Sequence, residues 1–387
     1  MSTPTEFPGV SELLSAMIGF DTVNAGISGK ERPEQPLVEF LEELAQESGL
    51  EARRLPVPGQ SDELLLLYQH DPALPWILFD SHLDTVSVDG MSIEPFAGRE
   101  GEGKIWGRGA CDTKGTGAAM FRGLHEYSHK PGNNNIALLF SVDEEWGMSG
   151  IREFTNLHYR DLGFAVKGAV IGEPTRLQTV VAHNGVLRYV VQTHGVAAHS
   201  STPALGVSAI STMAHLITFL EEEFIPTCTA EDPITGRAQC SINVVRGGTA
   251  ANIIPDLCEI QVDRRTVPGE SSADGTDRFR EAVLEFERRH PKTEITWQVS
   301  VDTPVLDHRL STEFSAGVLK VMSGAGLGGS GIGVTYATHA GDLSVAGIPS
   351  VVLGPGDIAQ GHTKDEWIDV QELKKGVEIY RTLMAKL

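Results

Sequence analysis

The sequence of 387 residues lacks any apolar stretch near the length of about 20 residues that a membrane-spanning helix needs. Its beginning, MSTPTEFPGV, lacks the basic segment and apolar core of a secretory signal. Cysteine is scarce, and none of Cys111, Cys228, Cys240 and Cys258 has CxxC spacing to another. This spacing argues against a disulfide framework and against a cysteine zinc site. We therefore expect a soluble protein in a reducing cytoplasm.

Positive charge is scarce as well, with 31 Lys and Arg against 52 Asp and Glu and a formal net charge of −21. Such a chain repels nucleic-acid phosphates and anionic lipids, so neither nucleic acid nor a membrane is an expected partner. A small solute or a cation suits this charge better. Because the length exceeds what one hydrophobic core usually organises, we expect two domains.

The first part of the chain alternates short apolar runs with amphipathic segments. The pattern predicts buried strands at 64–68, 76–79, 136–142 and 169–171, and helices near 11–20, 36–48 and 116–127. This alternation indicates an α/β fold with a mixed, largely parallel sheet.

From about Val181 the predicted elements follow the order strand, helix, strand, strand, helix, strand. They lie at 188–193, 207–222, 239–245, 258–265, 276–288 and 294–300. This order is typical of a ferredoxin-like α+β domain. A helix at 311–323 and a strand at 350–353 then return to the first sheet. We predict a discontinuous domain of residues 1–180 and 298–387, into which a ferredoxin-like domain of residues 181–297 is inserted.

Acidic residues and histidines follow directly after four of the predicted strands. The segments are Asp80-Ser-His82-Leu-Asp84, Asp143-Glu144-Glu145, Gly172-Glu173-Pro174 and GPGDIAQGHTKDE, which contains His362. The carboxyl ends of the strands of an open α/β sheet converge on one crevice. These side chains are therefore expected to meet in space.

Histidine nitrogens and carboxylate oxygens are the donors that zinc takes in catalytic sites. Two metals about 3.5 to 4 Å apart can share a carboxylate and activate a bridging water. Asp112, where GRGACDTKGTG enters a predicted helix, could be that carboxylate. Asp84 has the spacing to orient His82. Of the neighbours Glu144 and Glu145, one can bind metal while the other acts on water.

Eight blocks of the sequence resemble, in order, those of a known family of hydrolases. They are SHLDTV, GRGACDTKG, DEEWGMSG, GEPT, GVAAHSS, ANIIPD, DRRTVPGE and GPGDIAQGHTKDE. The family comprises acetylornithine deacetylases, succinyl-diaminopimelate desuccinylases, aminoacylases and carboxypeptidase G, and the resemblance covers residues 78–366. It implies a two-zinc catalytic domain, in which cobalt or manganese could replace zinc.

The resemblance also implies a role for each candidate residue. The metal ligands would be His82 and Glu173 for one ion, Glu145 and His362 for the other, and Asp112 as the bridge. Glu144 would be the general base, and Asp84 would orient His82.

In that family the inserted domain usually mediates dimerisation and supplies lid residues, so the resemblance implies a homodimer. His199 resembles a histidine that reaches a partner's active site to steady the oxyanion, although it could be a plain loop histidine. Asn252 and Arg265 resemble residues that grip the substrate carboxylate. A strand-end salt bridge is the alternative for Arg265. Asp342 is a further candidate for the substrate pocket.

Other motifs compete with this interpretation. His125-Glu-Tyr-Ser-His129 matches the zincin signature HExxH, but it ends a predicted helix, where the helix dipole favours histidine anyway. The segment 98–104 matches GxxxxGK but continues with Ile105 and contains two glutamates, which disfavours a P-loop. The segment 324–329 matches GxGxxG without a preceding strand, and GxSxG is absent.

We therefore predict a metal-dependent amidohydrolase that cleaves the amide bond of an N-acyl amino acid such as N-acetylornithine. A metal-bridging hydroxide would attack the amide carbon, with Glu144 as general base. A dipeptidase or carboxypeptidase acting on short peptides is the alternative, and a non-catalytic metal or amino-acid binding protein is the remote one. His183-Asn-Gly stands where many relatives carry a basic residue before glycine, which leaves the substrate side chain open.

Overall fold

The computed structural model describes residues 7–387. The chain divides into two compact units. The first contains the residues up to Val181 together with Asp307–Ile332 and Thr338–Leu387, and the second contains Ala182–Leu306 and Gly333–Ala337. In the described part of the chain, no helix is long and apolar enough to cross a membrane.

The strands of the described residues are numbered in chain order. They are β1 (Glu51–Leu55), β2 (Glu63–Tyr68), β3 (Trp76–His82), β4 (Arg99–Gly101), β5 (Lys104–Trp106), β6 (Asn135–Ser141), β7 (Val166–Ile171), β8 (Val180–His183), β9 (Gly185–His194), β10 (Ala198–His199), β11 (Glu231–Asp232), β12 (Gly236–Arg237), β13 (Gln239–Gly247), β14 (Ile253–Ile254), β15 (Leu257–Thr266), β16 (Glu294–Thr303), β17 (Ile332–Val334), β18 (Ser350–Val352) and β19 (Trp367–Asp369).

The α-helices are numbered in the same way. They are α1 (Val10–Ile18), α2 (Ala25–Ser28), α3 (Gln35–Glu47), α4 (Lys114–His129), α5 (Ser149–Glu153), α6 (Tyr159–Asp161), α7 (Ala209–Phe219), α8 (Ser272–Arg289), α9 (Thr312–Gly324), α10 (Ala340–Val345) and α11 (Val370–Lys386).

The main sheet has the strand order β1-β2-β6-β3-β7-β18-β8-β17. Its centre is parallel, because β3 pairs in parallel with both β6 and β7, and β7 pairs in parallel with β18. All side chains of β3 and β6 are buried, as the continuous apolar runs predict. The predicted mixed, largely parallel α/β sheet is confirmed.

Helices α4 and α11 pack against each other and contribute to the core of this unit. The helix α11 buries Leu373, Val377, Tyr380 and Met384, which recur at helical spacing. Each such side chain contributes roughly 1.5 to 3 kcal/mol when it leaves water. This core supports the sheet whose strand ends carry the polar residues.

The carboxyl ends of β3, β6 and β7 lie at the same edge of the sheet, because these strands are parallel neighbours. His82 is the last residue of β3, while Glu144 and Glu145 follow β6 and Glu173 follows β7. His362 lies in the loop between β18 and β19. The topology therefore gathers the predicted polar residues at one edge.

The second unit contains an antiparallel sheet with the order β13-β15-β9-β16. Its chain order is β9, α7, β13, β15, α8, β16, which confirms the predicted ferredoxin-like pattern. The strand β9 alternates buried and half-buried residues, and its inward side chains join those of α7 and α8 in a separate core. The predicted end of the inserted domain at residue 297 falls inside β16, which pairs with β9 as far as Thr303.

Candidate metal centre

Two overlapping groups of metal-type ligands lie at the carboxyl edge of the sheet of the first unit. One is His82, Asp112 and Glu173, and the other is Asp112, Glu145 and His362. Within each group the donor atoms lie within 4.8 Å of one another. The structure thus brings together all five residues that were predicted as metal ligands.

Asp112 belongs to both groups, and its two oxygens face different histidines. Its Oδ1 lies 3.2 Å from His82 Nε2, and its Oδ2 lies 3.3 Å from His362 Nε2. His362 Nε2 is also 3.1 Å from Glu145 Oε1, and His82 Nε2 is 3.9 Å from Glu173 Oε1. A carboxylate with one oxygen toward each group has the arrangement of a bridging ligand.

The loop that carries Asp112 is held by Glu366, a fully buried glutamate for which the sequence suggested no role. Its Oε1 accepts hydrogen bonds from the backbone N–H groups of Cys111 at 2.8 Å and Asp112 at 3.0 Å. Its Oε2 accepts from the N–H of Gly109 at 3.1 Å and from Nη1 of Arg108 at 2.7 Å. One carboxylate therefore fixes the backbone immediately before the Asp112 side chain.

Asp84 organises the other side of the centre. The Nδ1 atom of His82 lies 3.0 Å from the Asp84 carbonyl oxygen and 3.5 Å from its carboxylate. That carboxylate accepts hydrogen bonds from the N–H groups of Glu144 and Glu145, both at 3.0 Å, and from Asn24 Nδ2 at 2.8 Å. Asp84 thus fixes the His82 ring through its backbone and the two glutamates through its side chain.

The turn that presents Glu144 and Glu145 begins at Asp143, whose φ of +62° is uncommon for a residue other than glycine. Its carboxylate accepts from the N–H groups of Gly147 and Ser149 and from Asn24 Nδ2. These bonds hold the strained conformation. Asn24 links Asp84 to Asp143 and is a second positioning residue that the sequence did not reveal.

The charges of the centre suit a pair of divalent cations. Burial, the largest cause, together with the Asp112 carboxylate raises the pKa of Glu145 to about 8. The same two causes hold the pKa of Glu173 well above its usual value. Hydrogen bonding to Asp112, with that to Glu145, raises the pKa of His362 to about 11. Packed carboxylates of this kind are costly to bury unless cations lie between them, and the donor set of nitrogen and oxygen is one that zinc takes.

Glu144 lies close to the candidate ligands, because the charges of His82 and Asp112 affect its carboxyl group. Burial, the largest cause, raises the pKa of its carboxyl group, while His82 and His339 act in the opposite direction. In the described part of the chain we find no hydrogen-bond partner for this carboxylate. It is therefore free to exchange a proton with a bound molecule.

A second buried histidine, His339, has its ring centroid 6.5 Å from that of His82. Its Nδ1 lies 2.8 Å from Asp80 Oδ2, and Asp80 Oδ1 accepts a 2.7 Å hydrogen bond from Ser141 Oγ. Its Nε2 is buried without a hydrogen-bond partner among the described residues. Burial acts to lower the pKa of His339, but the Asp80 carboxylate raises that pKa above its usual value. The sequence drew attention to the segment that contains Asp80, but nothing in it marked His339, 259 residues further along the chain, as the partner of that aspartate.

The residues predicted to bind substrate have these positions. In the second unit, His199 is exposed, with Nδ1 2.7 Å from Ser201 Oγ, and the Asn252 carbonyl accepts from the N–H of Ser200 at 3.0 Å. Arg265 forms a 2.7 Å ion pair with Asp263, so the salt bridge considered as its alternative is present. In the first unit, the buried Asp342 forms a 3.3 Å ion pair with Arg152.

The competing HExxH motif lies at the end of α4 and makes contacts of a structural kind. The ring of His125 stacks on Phe7 with centroids 4.0 Å apart, and His129 Nδ1 lies 2.9 Å from the His125 carbonyl oxygen. Glu126 forms an ion pair with Arg122. These contacts explain the residues without a metal.

Comparison with known proteins extends this picture. The family model described as Peptidase family M20/M25/M40 matches residues 78–386. The chain belongs to this family. The family predicted from the sequence blocks is thereby confirmed. As a member of this family, the chain is a peptidase or amidohydrolase.

Among curated relatives, an acetylornithine deacetylase from Proteus mirabilis is 29% identical over 398 residues, covering 99% of this chain and 96% of its own length. A solved tripeptidase from Staphylococcus aureus superimposes with a TM-score of 0.77 at 22% identity, covering 97% of each chain. A Bacillus subtilis protein described as a dinuclear metal binding peptidase of the M20 family superimposes with a TM-score of 0.69 at 16% identity, covering 97% of this chain and 98% of its own. At these identities the two structures establish the fold.

Replacing Glu366 by glutamine in this M20/M25/M40 chain should weaken metal binding by roughly 10- to 100-fold, as is usual when a residue that orients a ligand is lost. The amide has only one acceptor oxygen for the N–H groups that the carboxylate now holds. Chelator competition would measure the change. Glu378→Gln, which removes an exposed glutamate of α11 paired with Lys375, is the matched control. Equal metal affinity in the two variants would contradict this role.

Proposed function

We propose that the chain is a two-metal amidohydrolase that removes the acyl group from an N-acyl amino acid, with N-acetylornithine as the leading candidate. The observation that carries the proposal is the placement of Asp112, whose two oxygens face His82 and His362 at 3.2 and 3.3 Å. The full-length similarity to proteins named acetylornithine deacetylase supports the choice of substrate.

The metals would be held by His82 and Glu173, by Glu145 and His362, and by Asp112 between them. Zinc is the proposed ion, and cobalt or manganese suit the same donors. When bound, such ions polarise an amide carbonyl and make water more acidic.

Glu144 would carry the protons of the reaction. It takes a proton from the attacking water, and the resulting hydroxide adds to the amide carbon. It then delivers that proton to the amide nitrogen as the carbon–nitrogen bond breaks. The products are the acyl carboxylate and the free amine. Burial raises the pKa of Glu144, which lets the group hold the proton between these two steps.

The substrate roles of His199, Asn252, Arg265 and Asp342 are part of this proposal. Arg265 would exchange its bond to Asp263 for one to the substrate carboxylate, which the planar guanidinium fork fits equally well. His199 would steady the oxyanion. A homodimer formed through the second unit, residence in the cytoplasm and the lid role of that unit are likewise predictions.

A screen of metal-reconstituted protein tests the proposal. The panel contains N-acetylornithine, other N-acetyl amino acids, N-succinyl-diaminopimelate, dipeptides and tripeptides, and release of free amine is the readout. A kcat/KM for N-acetylornithine about 10-fold or more above the peptides, equivalent to about 1.4 kcal/mol of selectivity, would support it. Preference for peptides would favour the dipeptidase or carboxypeptidase alternative. Failure to cleave any amide would favour the binding-protein alternative.

A further inference from the structure

A short hairpin in the second unit brings two of the four cysteines together. Its strands pair Glu231 with Arg237 and Asp232 with Gly236. The same register continues outward, because the N–H of Ala238 donates to the Ala230 carbonyl at 2.9 Å. Cys228 lies two residues before Ala230 and Cys240 lies two residues after Ala238, on the two segments that continue from this hairpin.

The two cysteines line the same cleft, and the interaction with Cys240 is the largest cause of the lowered pKa of Cys228. The other two cysteines are placed differently. Cys111 donates to the Asp357 carbonyl in the first unit at 3.3 Å, and Cys258 is buried in β15.

The thiols also share access to solvent. Both line a cleft of about 250 Å³, and Arg237 lines it with them. Cys228 is buried, whereas Cys240 is half-buried. A reagent of the size of hydrogen peroxide fits a cleft of this volume.

A buried arginine supplies positive charge near the pair. Arg264 belongs to the core-facing side of β15 and is 1% exposed. Its Nη2 donates to Glu270, but Nε and Nη1 have no hydrogen-bond partner among the described residues. A buried guanidinium with unused donors favours an anion nearby. The hydrogen bond from Cys240, followed by the charge of Arg264 and against the effect of burial, lowers the pKa of Cys228 to about 7.

We propose that Cys228 and Cys240 are a redox-active thiol pair that a peroxide converts into a disulfide. The Cys228 thiolate attacks one oxygen of hydrogen peroxide and becomes a sulfenic acid, and the hydroxide that leaves takes up a proton to form water. The Cys240 sulfur then attacks the Cys228 sulfur, its thiol proton leaves with the hydroxyl group as a second water, and the disulfide forms. The two thiols are oxidised by two electrons, and the peroxide is reduced. Two molecules of a small thiol such as glutathione reduce this disulfide to the two cysteine thiols and are themselves oxidised to glutathione disulfide.

The test treats the full-length, zinc-loaded protein with hydrogen peroxide, blocks the remaining thiols and maps the peptides by mass spectrometry. We expect a peptide linked through Cys228 and Cys240, and loss of two of the four thiols. Dithiothreitol should restore both thiols. Oxidation of Cys111 or Cys258 without the linked peptide would overturn the proposal.

Single substitutions separate the roles of the two sulfurs. Cys240→Ser should leave a sulfenic acid on Cys228 that dimedone traps. Cys228→Ser should react with hydrogen peroxide at least about 10-fold more slowly than the wild type, because the low-pKa thiolate is gone. Cys258→Ser is the matched control in the same unit and should form the linked peptide at the wild-type rate. Equal rates of peroxide consumption in all three variants would contradict the assignment of Cys228 as the reactive thiol. Circular dichroism would first establish that each variant is folded.

Discussion

Replacing Glu144 by alanine is expected to lower kcat by on the order of 10²- to 10⁴-fold, the usual contribution of a general base. Glu144 belongs to neither group of metal-type ligands, so its replacement removes no donor atom from either group. The variant should therefore keep its metals while it loses the group that moves the proton. Parallel measurement of kcat for the best substrate of the screen and of bound metal by elemental analysis checks both halves of the expectation.

The conservative variant Glu144→Asp sharpens this result. It keeps a carboxylate but withdraws it from the reacting atoms, so its activity should fall between those of the wild type and Glu144→Ala. Full activity in Glu144→Ala would rule out the assignment of the general base. Loss of metal from that variant would instead show that Glu144 is a ligand.

Replacing Asp112 by alanine should remove both metals from the chain, which is a larger effect than the loss of any other single ligand. Its two oxygens face His82 and His362, so both groups are broken at once. By contrast, Glu173→Ala and Glu145→Ala should each weaken the binding of mainly one of the two ions. Counting bound metal after equilibrium dialysis distinguishes the three variants.

The control for that series is the double variant in which His125 and His129 of α4 become alanine. Because these histidines contact Phe7 and each other, the change should leave the metal content at the wild-type level and affect stability alone. If this double variant lost its metal while Asp112→Ala kept both ions, the HExxH motif would be the true centre.

The sequence predicts the candidate ligands of the centre better than it predicts the residues that position them. His82, Glu145 and Glu173 could be located because each follows a buried apolar run, and the ends of parallel strands meet by topology. Glu366 could not, because it acts on Asp112 from 254 residues away along the chain. Nothing local marks such a glutamate, since its role depends on backbone N–H groups that only the folded loop directs toward it.

The same limit applies to parts of the fold. The edge strand β1 has the sequence EARRL and mostly exposed side chains, so it carries no apolar pattern to detect. It exists because β2 offers it a hydrogen-bonding edge. Asp80 and His339 are a comparable case, since a buried aspartate in a strand is recognisable as a partner only when its histidine is placed beside it.

The contact between Glu366 and the loop of Asp112 also affects the order in which parts of the chain fold during translation. Residues from Asn24 to Glu366 contribute to the centre, so almost the whole chain must be translated before Glu366 can bind the loop that carries Asp112. The four-stranded sheet of the second unit is complete earlier, at Thr303, and has its own core. Nascent chains stalled before Glu366 should therefore contain a folded second unit and an unfinished candidate metal site, so we expect the two cations to bind in one of the last steps of biogenesis.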